Sequence, residues 1–224
     1  MGGMMEILYE DNHVIVVVKP INMPVVADSS GDEDLQGALK DYLKKKHGKP
    51  GNVFLGIVHR LDRPVGGVMV FARTSKAASR LSEQIRERKM EKTYLAVVKG
   101  IPKAKKAELK DYLVKDGQTN TSRVTREHTK EAKLCMLDYE VMKSANGHSL
   151  LKVILQTGRH HQIRVQLSNL GHPIFGDVKY SGEKEKTPIA LWAWKLAFFH
   201  PVGKEEMCFQ KDPDYRALPY SFFK

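Results

Sequence analysis

Apolar positions along the chain come in short blocks, most with an alternating rhythm and a few with the 3.6-residue rhythm of a helix. Residues 7–10 and 13–18 (ILYE and HVIVVV) read as two strands around the turn residues Asp11 and Asn12, closed by Lys19-Pro20. The stretch 29–34 is polar and turn-like. Residues 35–46 then place Leu35, Leu39 and Tyr42 at helical spacing. A basic break over 47–52 leads to an apolar run at 53–58, and 68–72 predicts a buried strand. Thr74 or Ser75 can cap a helix over 76–88, with Ala78, Leu81 and Ile85 on one face. Residues 94–98 predict a strand closed by Gly100, and 101–106 a basic linker. Alternation over 107–143 predicts further antiparallel strands, with a polar excursion at 115–130. Asn146-Gly147 predicts a hairpin joining 134–142 to 149–156. Residues 160–170 carry Ile163, Leu167 and Leu170 on one helical stripe, stopped by Gly171 and followed by Pro173. The aromatic run 191–200 predicts a central strand. There is no internal repeat or low-complexity tract.

Strands outnumber helices, and few helices lie between consecutive strands. This predicts an α+β fold on a mixed, largely antiparallel sheet flanked by helices. At 224 residues the chain fits one large domain or two intimate lobes, and 1–224 is read as a single domain.

Composition changes the picture in one respect. The formal net charge of +11 favours a polyanionic partner, which makes nucleic acid the leading class. Cys135 and Cys208 are too few for a disulfide framework or a thiolate zinc site. No stretch is long and apolar enough for a membrane span or a secretory signal, so a cytoplasmic protein is expected. The leading Met-Gly-Gly reads as a cloning remnant.

Two segments could carry chemistry. In His59-Arg60-Leu61-Asp62-Arg63-Pro64 a carboxylate sits between two arginines, after an apolar run and before Gly66-Gly67. Neighbouring cations favour its ionised form, which can act as nucleophile or base. A surface ion pair or a turn would look the same in sequence. The second is Gln156-Thr157-Gly158-Arg159-His160-His161-Gln162-Ile163-Arg164. A helix starting near Arg159 would put His160 and Arg164 on one face and suit an anion; a solvated basic helix end is the plain alternative. His59, His160, His161 and His172 lack metal-ligand spacing, so no metal is expected.

Together these segments resemble the RluA-like family of RNA pseudouridine synthases along most of the chain. ILYEDNHVIVVVKPINMPVV looks like its opening motif and HRLDRPVGGVMVFAR like its catalytic motif. KMEKTYLAVVKG and LQTGRHHQIRVQLSNLGHPIFGDVKY look like its tyrosine and last motifs. The resemblance implies a pseudouridine synthase catalytic fold with a central cleft, working on tRNA or rRNA without cofactor or metal; a monomer is expected by default, since nothing in the sequence argues for an oligomer. Asp62 would be the nucleophile acting on a flipped uridine. Tyr94 would lie against the base, and Arg164 would pair with Asp62. Arg60 would fill the space left by the nucleotide, with Ile163 forming an apolar wall. His59, Arg63 and Arg159 complete the expected substrate-binding set.

Three features depart from the family pattern. Pro64-Val65-Gly66-Gly67 stands where a Thr-Ser-Gly-like stretch is frequent, and Gln166 where histidine is frequent. The opening motif begins near residue 7, which leaves no room for the small ribosomal-protein-like RNA-binding domain of many relatives. Recognition would then fall to the catalytic domain, with the basic stretches 44–49 and 101–106 as candidates. Two other functions fit parts of the sequence: a non-catalytic RNA-binding or assembly factor on the same scaffold, and a metal-dependent nuclease using the histidines.

Overall fold

Burial follows side-chain type closely enough to explain most elements. The computed structural model describes residues 5–48, 50–182 and 187–224. The leading Met-Gly-Gly and Lys49 of the basic stretch 44–49 therefore lie outside the described residues. In chain order the elements begin with β1 (Glu6–Glu10), β2 (Val14–Lys19), α1 (Leu35–Lys46), β3 (Gly56–Ile57), β4 (Gly66–Ala72) and α2 (Ser75–Arg86). Then come β5 (Glu91–Lys99), β6 (Lys106–Asp116), β7 (Thr121–Thr125), β8 (Lys133–Ala145) and β9 (His148–Leu155). The chain ends through α3 (Gln162–Asn169), β10 (Leu191–Phe199), β11 (Glu206–Gln210) and a short 3-10 helix at Tyr220–Phe223.

The chain divides into two compact units. The first comprises Met1–Met90 with Ala193–Lys211, and the second Glu91–Trp192 with Asp212–Lys224. In the first, β1, β2, β4 and β10 are successive neighbours, β11 pairs with β10, and β3 pairs with β4. The β1–β2, β2–β4, β3–β4 and β10–β11 pairings are antiparallel. All six positions of β2 are buried, which is why Val14–Val18 run continuously apolar rather than alternating before the strand ends at Lys19. Val14, Val16, Val68 and Val70 pack with Ala77 and Leu81 of α2 and with Leu196 and Phe198 of β10. Burial of a leucine such as Leu81 contributes about 2 kcal/mol. Thr74 Oγ1 accepts from the Ala77 amide and starts α2, while Asp34 does the same for α1 through Gly37.

Gly67 is fixed by geometry. Its φ is +122°, and a Cβ there would sit 2.2 Å from the Ala193 carbonyl oxygen. Gly67→Ala is therefore expected to cost about 2–3 kcal/mol from backbone strain and overlap. Chemical denaturation checks this, and an unchanged midpoint would show that β4 can shift away from β10.

The second unit is an antiparallel sheet in the order β5, β9, β8, β6, β7. Asn146 and Gly147 both have positive φ, 52° and 71°, as a two-residue hairpin between β8 and β9 requires. Leu113 and Cys135 of the sheet meet Val165 of α3 in a small apolar cluster.

The α+β class with a largely antiparallel sheet holds, and α1 falls on its expected residues. Five details differ. The apolar run 53–58 yields only the two-residue β3. The helix expected over 76–88 ends at Arg86, because Arg88 turns to a φ of 57°. The linker 101–106 gives way to β6 at Lys106, and β7 lies inside the polar excursion 115–130. The helix expected over 160–170 begins only at Gln162, because His161 adopts a left-handed φ of 54°. His160 therefore lies outside α3 and does not share a helical face with Arg164.

Candidate active site

In the first unit, the loop 58–65 carries His59, Arg60, Asp62 and Arg63 between β3 and β4. It is fastened from below by a lysine that hydropathy would place in solvent. Lys19 ends β2, is fully buried, and donates through Nζ to the carbonyls of Pro20 (2.9 Å), Met23 (2.6 Å) and Arg63 (2.9 Å). The third contact joins the end of β2 to the residue following Asp62. The Val65 amide donates to the Asp62 carbonyl at 3.0 Å and closes the turn. Asp62 itself is half-buried.

Burial pushes the Lys19 ammonium down to about 7, the Asp62 charge opposes that fall, and Arg63 adds to it. Between that value and the ordinary 10.5 the unfolded chain binds the extra proton, so this group makes stability rise with pH across the window. Lys19→Met leaves three carbonyls unpaired and is expected to be less stable throughout, without that rise. Denaturant midpoints at about pH 7 and about pH 10 test this. Parallel profiles for the two proteins would contradict it.

Arg63 is engaged with the segment between β2 and α1. It pairs with Asp28 at 3.4 Å and with Asp32, and it donates to Ser30 Oγ at 2.9 Å. His59 Nε2 accepts from the Val70 amide at 3.1 Å, which places this ring against β4. Arg60 is exposed and, among the described residues, has no ion-pair partner.

In the second unit, Tyr94 is buried on β5, opposite Val153 of β9. Arg164 is buried in α3, next to the buried Ile163. Asp177 grips its guanidinium at two points: Nε to Oδ2 at 2.8 Å and Nη2 to Oδ1 at 2.7 Å. Their side chains are 5% and 0% exposed, so this is a charge pair withdrawn from water. The Arg164 guanidinium also lies 5.2 Å from the centre of the Tyr180 ring.

The entry to α3 is tied down by side chains. Gln162 Oε1 accepts from Thr157 Oγ1 at 2.7 Å and from the Arg159 amide at 3.1 Å. Gln166, which stands where the family often has histidine, donates to the Asp111 carboxylate at 2.7 Å and to the Leu109 carbonyl at 3.2 Å. It thereby anchors α3 to β6. His161 Nδ1 lies 2.8 Å from the Tyr180 hydroxyl, which accepts from the Ser122 amide at 2.8 Å. Burial, then the cations of Arg164 and His160, push His161 down to about 3, so it is neutral at physiological pH. His160 stacks on it at 3.8 Å.

The structure thus gathers His59, Arg60, Asp62 and Arg63 in one loop of the first unit. In the second, Tyr94 sits on β5, Arg159 on the loop before α3, and Ile163 and Arg164 on α3. Sequence reading missed the buried work of Lys19, Asp177, Tyr180 and Gln162. For Asp177 the signal was present, as a carboxylate in the GDVKY that closes the last motif. Among the described residues no three His, Cys, Asp or Glu side chains gather at metal-binding spacing, and no helix is long and apolar enough to cross a membrane.

Residues 13–169 match the family described as RNA pseudouridylate synthase. An uncharacterized RNA pseudouridine synthase of Aquifex aeolicus is 36% identical, over 97% of this chain and 72% of its own length. The tRNA pseudouridine synthase C of Haemophilus influenzae is 31% identical over 91% of both proteins. Of two ribosomal large subunit pseudouridine synthases, C of Buchnera aphidicola and D of Pseudomonas aeruginosa, the chain spans 53% and 56%. The solved structure of human RNA pseudouridylate synthase domain containing 4 superposes with a TM-score of 0.78. That match has 26% identity and covers 94% of this chain and 89% of the other.

Proposed function

The chain belongs to the RNA pseudouridylate synthase family, and from that membership we propose that it isomerises uridine to pseudouridine in tRNA or ribosomal RNA. The observation that carries this reading is the family match over residues 13–169, because that one span contains Asp62, Tyr94 and Arg164 in their motifs. The reaction breaks the bond from N1 of the base to C1′ of the ribose and forms one from C5 to C1′. The proton on C5 leaves and N1 gains one, so no oxidant, reductant or metal is required.

Asp62 is proposed as the catalytic carboxylate. Addition to C1′, addition to C6 and removal of a ribose proton are three first steps open to it. Tyr94 is proposed to hold the detached base by its ring, and Arg164 to keep Asp62 charged and oriented. The target uridine is proposed to leave its stack, at a cost of about a few kcal/mol. Arg60, exposed and unpaired among the described residues, supports insertion into the vacated space. Ile163 would line the base, and His59, Arg63 and Arg159 would contact the strand. The whole chain is proposed to act as one catalytic domain, as a cytoplasmic monomer without cofactor.

Because the C5 hydrogen is lost, RNA labelled with tritium at C5 of uridine should release tritium to water while the chain stays intact. Strand cleavage, or binding without release, would displace the proposal in favour of a nuclease or a non-catalytic RNA-binding protein. Arg60→Ala should weaken turnover of a structured RNA about tenfold, the equivalent of roughly 1.4 kcal/mol of flipping energy, and that of a short unstructured strand much less. Equal losses on the two substrates would remove Arg60 from that role.

A further inference from the structure

Lys92 lies two residues before Tyr94 on β5, so the two side chains share a face of the strand. Its ammonium is turned onto Gly158, where a Cβ would meet the Lys92 Nζ at 3.4 Å. Lys92 is half-buried, and among the described residues no carboxylate or carbonyl receives its ammonium. Burial alone depresses its pKa, as follows when a cation loses water and gains no partner. Lys19 makes the contrast plain, since three carbonyls satisfy that buried lysine within the same fold.

Gly158 also lines a cavity of about 500 Å³ at the ends of β6, β7 and β8. Lys115, Lys133 and Arg159 supply three positive charges to its wall, and Glu131 one negative charge. Among the described residues neither Lys115 nor Lys133 has an ion-pair partner. Arg159 uses its Nε on the Leu134 carbonyl at 3.1 Å, which aims the guanidinium while leaving both terminal nitrogens to other partners. Ser122 and His160, 3.0 Å apart, add polar groups to the same wall. Unpaired cations that run from a desolvated lysine into a cavity walled by Lys115, Lys133 and Arg159 match the chemistry of consecutive phosphates on one nucleic-acid strand.

We propose that the groove around Gly158, from Lys92 to Lys115, Lys133 and Arg159, binds successive backbone phosphates of the substrate RNA strand. Lys92 takes one of them in its desolvated position beside Tyr94. This rests on the proposed RNA substrate and adds to it a defined phosphate-binding site that leaves base identity unread. A site built this way sacrifices stability in the unliganded protein for a strong contact in the complex.

The test is the salt dependence of binding to a fluorescent single-stranded decauridylate, over about 50 to 200 mM salt. Each phosphate contact contributes about 0.7 to the slope of log affinity against log salt. Lys92→Met and Lys133→Ala are each expected to lower the slope by about that amount, and Lys92→Arg to keep it. Lys92→Met should also unfold at the same or higher denaturant concentration than wild type, because it removes an unsatisfied buried cation. An unchanged slope in Lys92→Met, or a lower unfolding midpoint, would overturn the site. Tritium release by the wild type separates the two levels. If release occurs and the Lys92→Met slope equals that of wild type, the groove fails alone. If the slope falls but no RNA releases tritium, the groove stands and the proposed reaction fails.

Discussion

Asp62→Asn should abolish tritium release, with a rate loss on the order of 10⁴-fold or more, while leaving fold and RNA affinity close to those of the wild type. Asparagine keeps the size and one carbonyl oxygen of the side chain, so packing of the loop before β4 is little disturbed. It removes the negative charge, and with it the ability to add to carbon or to accept a proton. The backbone clamp does not use this side chain: Lys19 holds the Arg63 carbonyl, and Val65 donates to the Asp62 carbonyl. Single-turnover assays at saturating enzyme separate chemistry from binding. A variant that turns over within about tenfold of wild type would remove Asp62 from the chemical step, since a tenfold change is only about 1.4 kcal/mol.

Arg164→Met should destabilise the protein by about 3–5 kcal/mol, because it leaves Asp177 charged and buried without its partner. A role limited to pairing with Asp62 would instead give a well-folded protein that isomerises poorly. The two-point grip of Asp177, with neither side chain in water, adds the structural cost. The two roles can be separated. Arg164→Met combined with Asp177→Asn removes the stranded charge and should recover most of the stability. Turnover should stay low in the double variant if Arg164 also serves Asp62. Recovery of both stability and turnover would reduce Arg164 to a structural residue.

Much of the fold was legible where one physical signal dominated. The residues of α1 carry leucines at 35, 39 and 43, all buried, between the cap at Asp34 and the basic last turn. The hairpin at Asn146-Gly147 was legible because few other dipeptides accept two positive φ values. The start of α3 was not, since His161 in a left-handed conformation leaves no mark in sequence. Held by Tyr180, it is a product of tertiary contacts. Strand β11 was missed because Met207 and Phe209 alternate over only five residues. The buried roles of Lys19 and Asp177 were missed for a common reason. Composition places charged side chains in water, and the contacts that tie these two into the fold reach partners 44 and 13 residues away, Arg63 and Arg164. The motif residues were found as a set through order and spacing, which is why Asp62, Tyr94 and Arg164 emerged before any geometry did.

The central claim is that this protein makes pseudouridine and that Asp62 carries the reaction. Pseudouridine mapping of tRNA and ribosomal RNA, in cells with and without the gene, addresses both parts. The expected result is loss of pseudouridine at a defined uridine, restored by the wild-type gene and not by Asp62→Asn. Full pseudouridine at every position in cells without the gene, or restoration by Asp62→Asn, would contradict it.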